Sequence, residues 1–271
     1  MNYVSYLNHS LKNGKVMRWP DNMMPLKVYV APFVWYKEKG NEYSYYAMIK
    51  EAFEIWKKAS EGKISYQFVS NLYSSNINIE WKRAERSSLG HCNFNFDSAG
   101  RLFSAEVQIG LSDGVIHKKY QDQNEVKHTI IHEIGHALGL NHSPDKNDIM
   151  YVPHQYGVVS VSQKDKTSMK WLYKLPLNKG QKELAAMYKH PGAQTVDELI
   201  SYLENPNQPS EESPIEQSIY APEQTKLLDD EQKILADFNK YNISLQNINI
   251  ASEKTDYFNK LKIDKNKKPN R

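Results

Sequence analysis

Four of the nine histidines of this 271-residue chain fall within fifteen residues, in the stretch HTIIHEIGHALGLNHSPDKNDIMY that runs from His128 to Tyr151. Residues four apart share one face of a helix, so His132 and His136 can direct their imidazoles at one ion. Glu133 lies on the flank of that face, where its carboxylate can reach a water molecule beside the ion without being a ligand. The spacing predicts half of a zinc site together with a general base.

The HExxH pattern is short, and its downstream extension strengthens the prediction. Gly139 can adopt the positive φ that ends the helix, which allows His142 to return as a third ligand from another direction. Zinc held by three neutral imidazoles keeps a fourth position for water, lowers the pKa of that water towards ~7 and polarises a carbonyl. Glu133 would take the water proton and pass it to a leaving amine. The residues therefore predict metal-assisted hydrolysis without a covalent intermediate.

Met150 follows His142 by eight residues, in the stretch DIMY. A long zinc motif followed by a methionine resembles the metzincins. Ser143, directly after the third histidine, and the short interval to Met150 are similar to the matrixin branch, in a bacterial-type form, over about residues 20–174. The resemblance implies a zinc endopeptidase acting on proteins or peptides, with Met150 as an apolar floor beneath one catalytic zinc.

The resemblance also implies where a substrate binds. An extended peptide would add to the edge strand of the sheet by main-chain pairing, and the candidate edge is Gly90–Phe96. The chain after the methionine would form the wall of the specificity pocket, here with Pro153 and Tyr156, and His128 is a further candidate one turn before the first ligand. Val152 is inserted relative to the family's Met-Tyr-Pro, so the depth of the pocket is left open.

Two features of the vertebrate enzymes have no counterpart in the sequence. No cysteine precedes residue 90, so we expect no latency through a propeptide cysteine. Between His91 and Gly110 the candidate ligands for the family's structural zinc and calcium loop are only His91, Asp97 and Glu106. We expect one zinc ion and neither calcium nor a second, structural zinc.

The elements that must position these residues follow from periodicity. Five elements precede the zinc motif. The first is a short apolar strand at Leu26–Val30, and the second is a helix over Tyr45–Trp56. Two alternating strands follow at Ile64–Ser70 and Ile77–Trp81, and a hairpin is formed by the two runs that flank Asp97–Gly100. A helix is predicted from about Asn124 to Leu138, and another from the N-cap Ser162 with Asp165 as its capping-box partner. The resemblance implies an α+β, zincin-like domain with a five-stranded twisted mixed sheet.

The composition changes after about Leu175, and a Pro/Ser/Glu-rich run follows at Glu204–Gln217. We therefore divide the chain into an N-terminal segment (1–19), a catalytic domain (20–174) and a partly helical or disordered extension (175–271). Short helices are expected in the extension at KELAAMY, TVDELISYLE and DDEQKILADFNKY.

Composition excludes several classes of protein. The net charge is only +3 with scattered basic residues, which argues against a nucleic-acid partner. The single cysteine, Cys92, excludes an intrachain disulfide framework. No apolar run is long enough for a membrane span or a signal peptide, whereas the resemblance suggests a secreted or cell-envelope protein, so the compartment stays open. We expect a monomer.

Alternatives remain beside the main hypothesis. The three histidines could be structural, or the domain could bind a protein without cutting it, although a structural zinc site normally has four protein ligands and no free base. A protease dedicated to its own chain or to one partner is a further alternative. Single residues also have plainer interpretations: His91 as a strand-surface histidine, Cys92 as a core-facing thiol and His154 as a solvated loop residue.

Overall fold

The computed structural model describes residues 3–32, 41–83, 89–111 and 123–206, and the elements below are those of the described residues. The strands are β1 (Leu26–Val30), β2 (Tyr66–Val69), β3 (Ile77–Arg83), β4 (Gly90–Phe96) and β5 (Leu102–Leu111). The α-helices are α1 (Asn41–Ala59), α2 (Gln123–Ala137), α3 (Gln163–Lys174), α4 (Gln181–Met187) and α5 (Val196–Glu204). Each strand and helix predicted before residue 175 is confirmed, with ends shifted by a few residues.

The five strands form one mixed sheet in the order β2-β1-β3-β5-β4. The β1–β2, β1–β3 and β3–β5 pairs are parallel, and β4 pairs antiparallel with β5. The hairpin between β4 and β5 closes at Asp97–Gly100, where Gly100 has a φ of 71° and donates its N–H to the Asp97 carbonyl. The prediction that Gly90–Phe96 is an edge strand is confirmed.

Helix α2 is buried around most of its circumference, because it packs on the sheet and on α1 and also lines a cleft. Ile130, Ile131 and Ile134 are fully buried. Two aromatic side chains bond the carbonyl of the last residue of α2 and that of the residue just beyond it, which have no partner within the helix. Trp19 Nε1 donates to the carbonyl of Ala137 at 2.8 Å, and the Tyr173 hydroxyl donates to the carbonyl of Leu138 at 3.0 Å.

Residues on both sides of the predicted catalytic domain pack into the same core. Tyr6, Leu7, Val16, Met17 and Trp19 are buried. Several apolar residues of the extension are buried too, among them Leu184, Ala193, Val196, Leu199 and Ile200. The described packing therefore has no break at residues 19/20 or 174/175.

The extension begins with helices, as predicted, and the second of them is hydrogen-bonded to the N-terminal segment. Helices α4 and α5 correspond to KELAAMY and TVDELISYLE, whereas DDEQKILADFNKY lies outside the described residues. Asp197 on α5 accepts hydrogen bonds from the Ser5 hydroxyl at 2.6 Å and from the Asn8 N–H at 3.1 Å. In the part of the chain that is described, none of the helices has the length and apolar content needed to cross a bilayer.

Asp165 joins three parts of the fold through one buried carboxylate. It accepts hydrogen bonds from the N–H of Ser162 at 2.8 Å, the N–H of Ile149 at 2.9 Å and the hydroxyl of Tyr6 at 2.7 Å. Asp165 also donates its own N–H to the Ser162 hydroxyl at 3.0 Å, so the predicted capping box is confirmed. The carboxylate thereby fixes the start of α3, the chain before Met150 and the N-terminal segment together.

Asp165→Ala should lower the free energy of unfolding by about 3 kcal/mol, because two buried donors and one partly buried donor lose their acceptor. Urea denaturation of the full chain measures the change. Glu51→Ala is the matched control, since the Glu51 carboxylate is half exposed and pairs with Lys127 at the surface; its effect should stay below about 1 kcal/mol. Equal effects of the two substitutions would contradict the role assigned to Asp165.

Candidate metal centre and cleft

The three predicted ligands converge. Nε2 of His136 lies 3.1 Å from Nε2 of His132 and 3.1 Å from Nε2 of His142. Their ligating nitrogens all lie within 4.8 Å of one another. His132 and His136 project from successive turns of α2, and the chain returns with His142 after Gly139, whose φ of 105° confirms the predicted turn.

The backbone around the triad fixes which nitrogen of each helical imidazole faces inward. Nδ1 of His132 lies 2.8 Å from the carbonyl of Ile149, and Nδ1 of His136 lies 2.8 Å from the carbonyl of Leu140. A carbonyl only accepts, so each Nδ1 carries the proton and each Nε2 of the neutral ring has a lone pair. Burial lowers the pKa of His132 to about 3 and that of His136 to about 4, which keeps both rings neutral near pH 7.

Glu133 borders the same cleft and is itself buried. Its Oε2 has no hydrogen-bond partner among the described residues. Burial raises the pKa of the Glu133 carboxyl to about 8. Strand β4 approaches it closely, because a Cβ at Gly90 would stand 2.6 Å from both Cγ and Oε1 of Glu133. Glycine at this position therefore leaves room for the carboxylate beside the edge strand.

The loop that carries the third ligand is held by the N-terminal segment, which the sequence did not indicate. The N–H of Asn141 donates to the Ser10 hydroxyl at 2.9 Å, and its side-chain amide donates to the carbonyl of His9 at 3.0 Å. Asn141 in turn accepts the N–H of His142 at 2.8 Å. The N-terminal segment thus holds the loop of His142 in place. Ser10 and Asn141 are 131 positions apart, and no local pattern in the sequence links residues at that separation.

Met150 lies beneath α2, fully buried. A Cβ built on Gly135, between the two helical ligands, would stand 2.5 Å from Sδ of Met150 and 3.0 Å from the ring of Trp56. The methionine is anchored by its backbone, since its carbonyl accepts the N–H of Ser143 at 2.9 Å. The role of an apolar floor beneath the ligands, which the resemblance implies, stays a prediction.

Gly135→Ala should destabilise the fold by about 1–3 kcal/mol, because the added methyl group overlaps Met150 in a close-packed region. Thermal or urea unfolding measures the change, and the zinc affinity should fall with it. Gly192→Ala is the matched control, since a Cβ there meets nothing within 4 Å. If both variants unfold like the parent, the close packing of Met150 against α2 is wrong.

A cleft of about 720 Å³ surrounds the triad. Of the predicted pocket residues, His128 and Pro153 line it, whereas Tyr156 does not and is 78% exposed. His154, expected to be a solvated loop residue, also lines the cleft.

Strand β4 contributes a wall of the cleft through residues that include His91, Cys92 and Phe94. His91 is exposed, and its Nε2 lies 2.9 Å from Oδ1 of Asn93. It stands outside the group of converging ligands. Cys92 packs against the core at its border, and burial raises the pKa of its thiol.

A model of the protein family described as Matrixin matches residues 32–174. The chain belongs to the matrixin family. The matched region ends with the last residue of α3 and contains α2, the three histidines and Met150. The mixed sheet with its antiparallel edge strand agrees with the fold that the resemblance implied.

Individual relatives match the matrixin chain over part of its length and over a smaller part of their own. Probable matrix metalloproteinase 095L of Invertebrate iridescent virus 3 is 31% identical over 131 residues, which are 44% of this chain and 35% of the viral protein. Matrix metallopeptidase-21 of Danio rerio is 29% identical over 187 residues, 61% of this chain and 29% of the fish protein. The chain therefore spans about a third or less of the length of these relatives.

Proposed function

We propose that this matrixin is a zinc-dependent endopeptidase that hydrolyses internal peptide bonds of proteins. The observation that carries the proposal is the convergence of three imidazole nitrogens in a cleft that also contains a buried, unpartnered carboxylate oxygen of Glu133. A structural zinc site normally closes the metal with four protein ligands and has no free base. Three ligands beside a carboxylate support catalysis.

The donor set fits zinc. Two neutral Nε2 atoms that both carry lone pairs, on His132 and His136, stand 3.1 Å apart. They cannot bond to each other, so a cation between them relieves their repulsion. Nitrogens that ligate a tetrahedral zinc at about 2.0–2.1 Å stand about 3.3 Å from one another. Hydrogen bonds from each Nδ1 to a carbonyl orient the rings in the way that metal-binding histidines require.

When bound, zinc supplies Lewis acidity to the attacking water and to the scissile carbonyl. Glu133 takes one proton from that water and delivers it to the nitrogen of the leaving amine. The nearby positive charge favours the ionised form of a carboxyl that burial otherwise keeps protonated, so the same group can accept and return a proton near neutral pH. His132, His136 and His142 hold the metal, and Met150 supports them from below.

The substrate in this proposal is an extended peptide that pairs with β4. Strand β4 is at the edge of the sheet and borders the cleft through residues 90–92 and 94. An edge strand can add one further strand by main-chain hydrogen bonds, which are independent of the substrate sequence. Side-chain selection then depends on the pocket walls, including His128 and Pro153. Tyr156, which is exposed and outside the lining of the cleft, is not assigned to these walls.

We assign one zinc ion to a monomeric catalytic unit centred on residues 20–174 and braced by the segments on either side of it. The alternative of a binding domain without activity is disfavoured by Glu133. A protease restricted to its own chain or to one partner is distinguished by its products. Mass spectrometry of a casein digest should show fragments from internal cleavage that are absent when a zinc chelator is added, whereas self-cleavage alone would support the restricted enzyme.

A further inference from the structure

Three polar side chains form a cluster at the end of the cleft where α2 begins. His128 and His154 line the cleft, and their ring centroids are 3.9 Å apart in an edge-to-face arrangement. Glu125 lies behind them and is only 5% exposed. Its Oε2 accepts a hydrogen bond from Nε2 of His154. Its other oxygen, Oε1, is buried and has no hydrogen-bond partner among the described residues. We refer to Glu125, His128 and His154 as the polar cluster.

Hydrogen bonds occupy the ring N–H groups of the polar cluster, and acceptor atoms of the cluster remain without a donor in the described part of the chain. Nδ1 of His128 lies 2.5 Å from the carbonyl of Val158, so the proton is on Nδ1 and Nε2 of the neutral ring is an acceptor. Nε2 of His154 donates to the Glu125 carboxylate, so the nitrogen that His154 leaves for a ligand is Nδ1. Oε1 of Glu125 is a further acceptor, which lies behind the two rings and outside the lining of the cleft. A partner that satisfies this wall must bring donors.

Resting on the proposed function, we propose that the polar cluster is a subsite that selects a lysine or arginine side chain of the substrate adjacent to the scissile bond. The head group of such a side chain carries only donors and a positive charge, which complements the acceptor nitrogen of His128 and the negative charge of the Glu125 carboxylate behind the rings. Its aliphatic stem needs apolar contact on the way in. Val152 and Pro153, which line the same part of the cleft, offer that contact.

The lysine side chains near the cleft do not conflict with the binding of a cationic substrate side chain at the polar cluster. Lys12 also lines the cleft, but it lies over the ring of Phe94, at the far end of β4 from Gly90. A Cβ added at Gly90, in contrast, would meet Thr129 and Glu133, next to the polar cluster on α2. Lys127 is paired with Glu51 at 2.7 Å. Among the described residues that line the cleft, the end formed by the polar cluster therefore carries no lysine or arginine that would repel a cationic side chain.

The subsite can be tested by binding, without turnover. The full-length Glu133→Gln protein, loaded with zinc, is titrated against fluorescent peptides that differ only in arginine or norleucine on one side of a central bond, and anisotropy gives each Kd. We expect the arginine peptide to bind at least about tenfold more tightly, as charge-assisted hydrogen bonds allow. Adding Glu125→Gln should remove most of that preference, and adding Glu61→Gln, an exposed carboxylate whose partner Lys170 keeps its second pairing with Glu204, should leave it unchanged.

A second variant and a second measurement keep the test decisive. If Glu125→Gln fails to fold, His154→Phe, at a partly exposed position, removes an acceptor and should likewise abolish the preference. A cleavage profile of the parent on a peptide library should show lysine and arginine enriched at one position next to the bond. Equal or tighter binding of norleucine, or enrichment of acidic or large apolar residues there, overturns the subsite.

The two proposals fail in distinguishable ways. A parent that cleaves peptides but prefers apolar residues refutes the subsite and leaves the endopeptidase assignment standing. A parent that cleaves nothing while its Glu133→Gln form still prefers arginine over norleucine refutes the activity and leaves the subsite standing. The Kd ratio therefore decides the subsite whichever result the cleavage assay gives.

Discussion

Replacing Glu133 by glutamine is expected to lower kcat/KM for a quenched fluorescent peptide by about 10²–10⁴-fold, the range that a positioned general base contributes. The amide has nearly the shape of the carboxylate but cannot take a proton from water. Glu133 is buried beside Gly90 with one unpartnered oxygen. Among the described residues, no other carboxylate lines the cleft, so none can replace it. The zinc content should match the parent, since the three ligands are unchanged.

The matched control for this prediction is Glu51→Gln, which changes an exposed carboxylate on α1 outside the cleft. Its kcat/KM should equal that of the parent. If Glu133→Gln retained full zinc and cleaved the peptide as fast as the parent, the general-base assignment would be wrong. Loss of zinc together with activity would instead mean that Glu133 supports the metal site.

Replacing His142 by alanine is expected to weaken zinc binding by more than about 100-fold, because even outer-shell partners of a metal site contribute about 10–100-fold. His142 is exposed and lies in a loop, so the fold of the metal-free chain should persist. Competition with a chromophoric chelator measures the affinity, and thermal unfolding of the metal-free proteins shows whether stability is retained. Activity at limiting zinc should fall in parallel.

His91→Ala is the informative control, since His91 lines the same cleft and is also exposed but stands outside the converging group. Its hydrogen bond partner is Asn93 on the same strand. Zinc affinity should be unchanged in this variant. If His91→Ala lost zinc and His142→Ala kept it, the ligand set derived from the HExxHxxGxxH spacing would be refuted.

Features determined by short sequence spacing were predicted well. The repeat of four residues places His132 and His136 on one helix face, and Gly139 adopts the left-handed φ that its position required. The capping box at Ser162 and the hairpin at Asp97–Gly100 follow from equally local rules. In each case the interacting groups lie within a few residues of each other, so the local sequence pattern alone predicts their arrangement.

Features that depend on contacts between distant residues were not predicted. Residues 1–19 were set apart as a separate segment, yet Trp19 caps a carbonyl of α2 and Ser10 holds the loop of His142. These partners are more than 100 positions apart, and no periodicity encodes them. The same applies to Glu125 and His154, which pair across 29 positions behind the wall of the cleft.

The specificity pocket shows the same limit on a smaller scale. The position of His128 one turn before the first ligand, and the family resemblance for Pro153, predict two pocket residues, and both line the cleft. The resemblance predicts Tyr156 as well, but Tyr156 is largely exposed, and it is His154 that lines the cleft. Which residue of a loop faces a cavity depends on the path of the backbone, and composition does not determine that path.

The most direct test of the central claim is a zinc titration of the metal-free full chain, with peptide cleavage followed at each addition. The account predicts no cleavage without metal and a linear rise of activity that ends at one zinc per chain. Addition of a chelator should then return the activity to zero. Cleavage by the metal-free chain, or saturation with zinc without any cleavage of internal peptide bonds, would contradict the account.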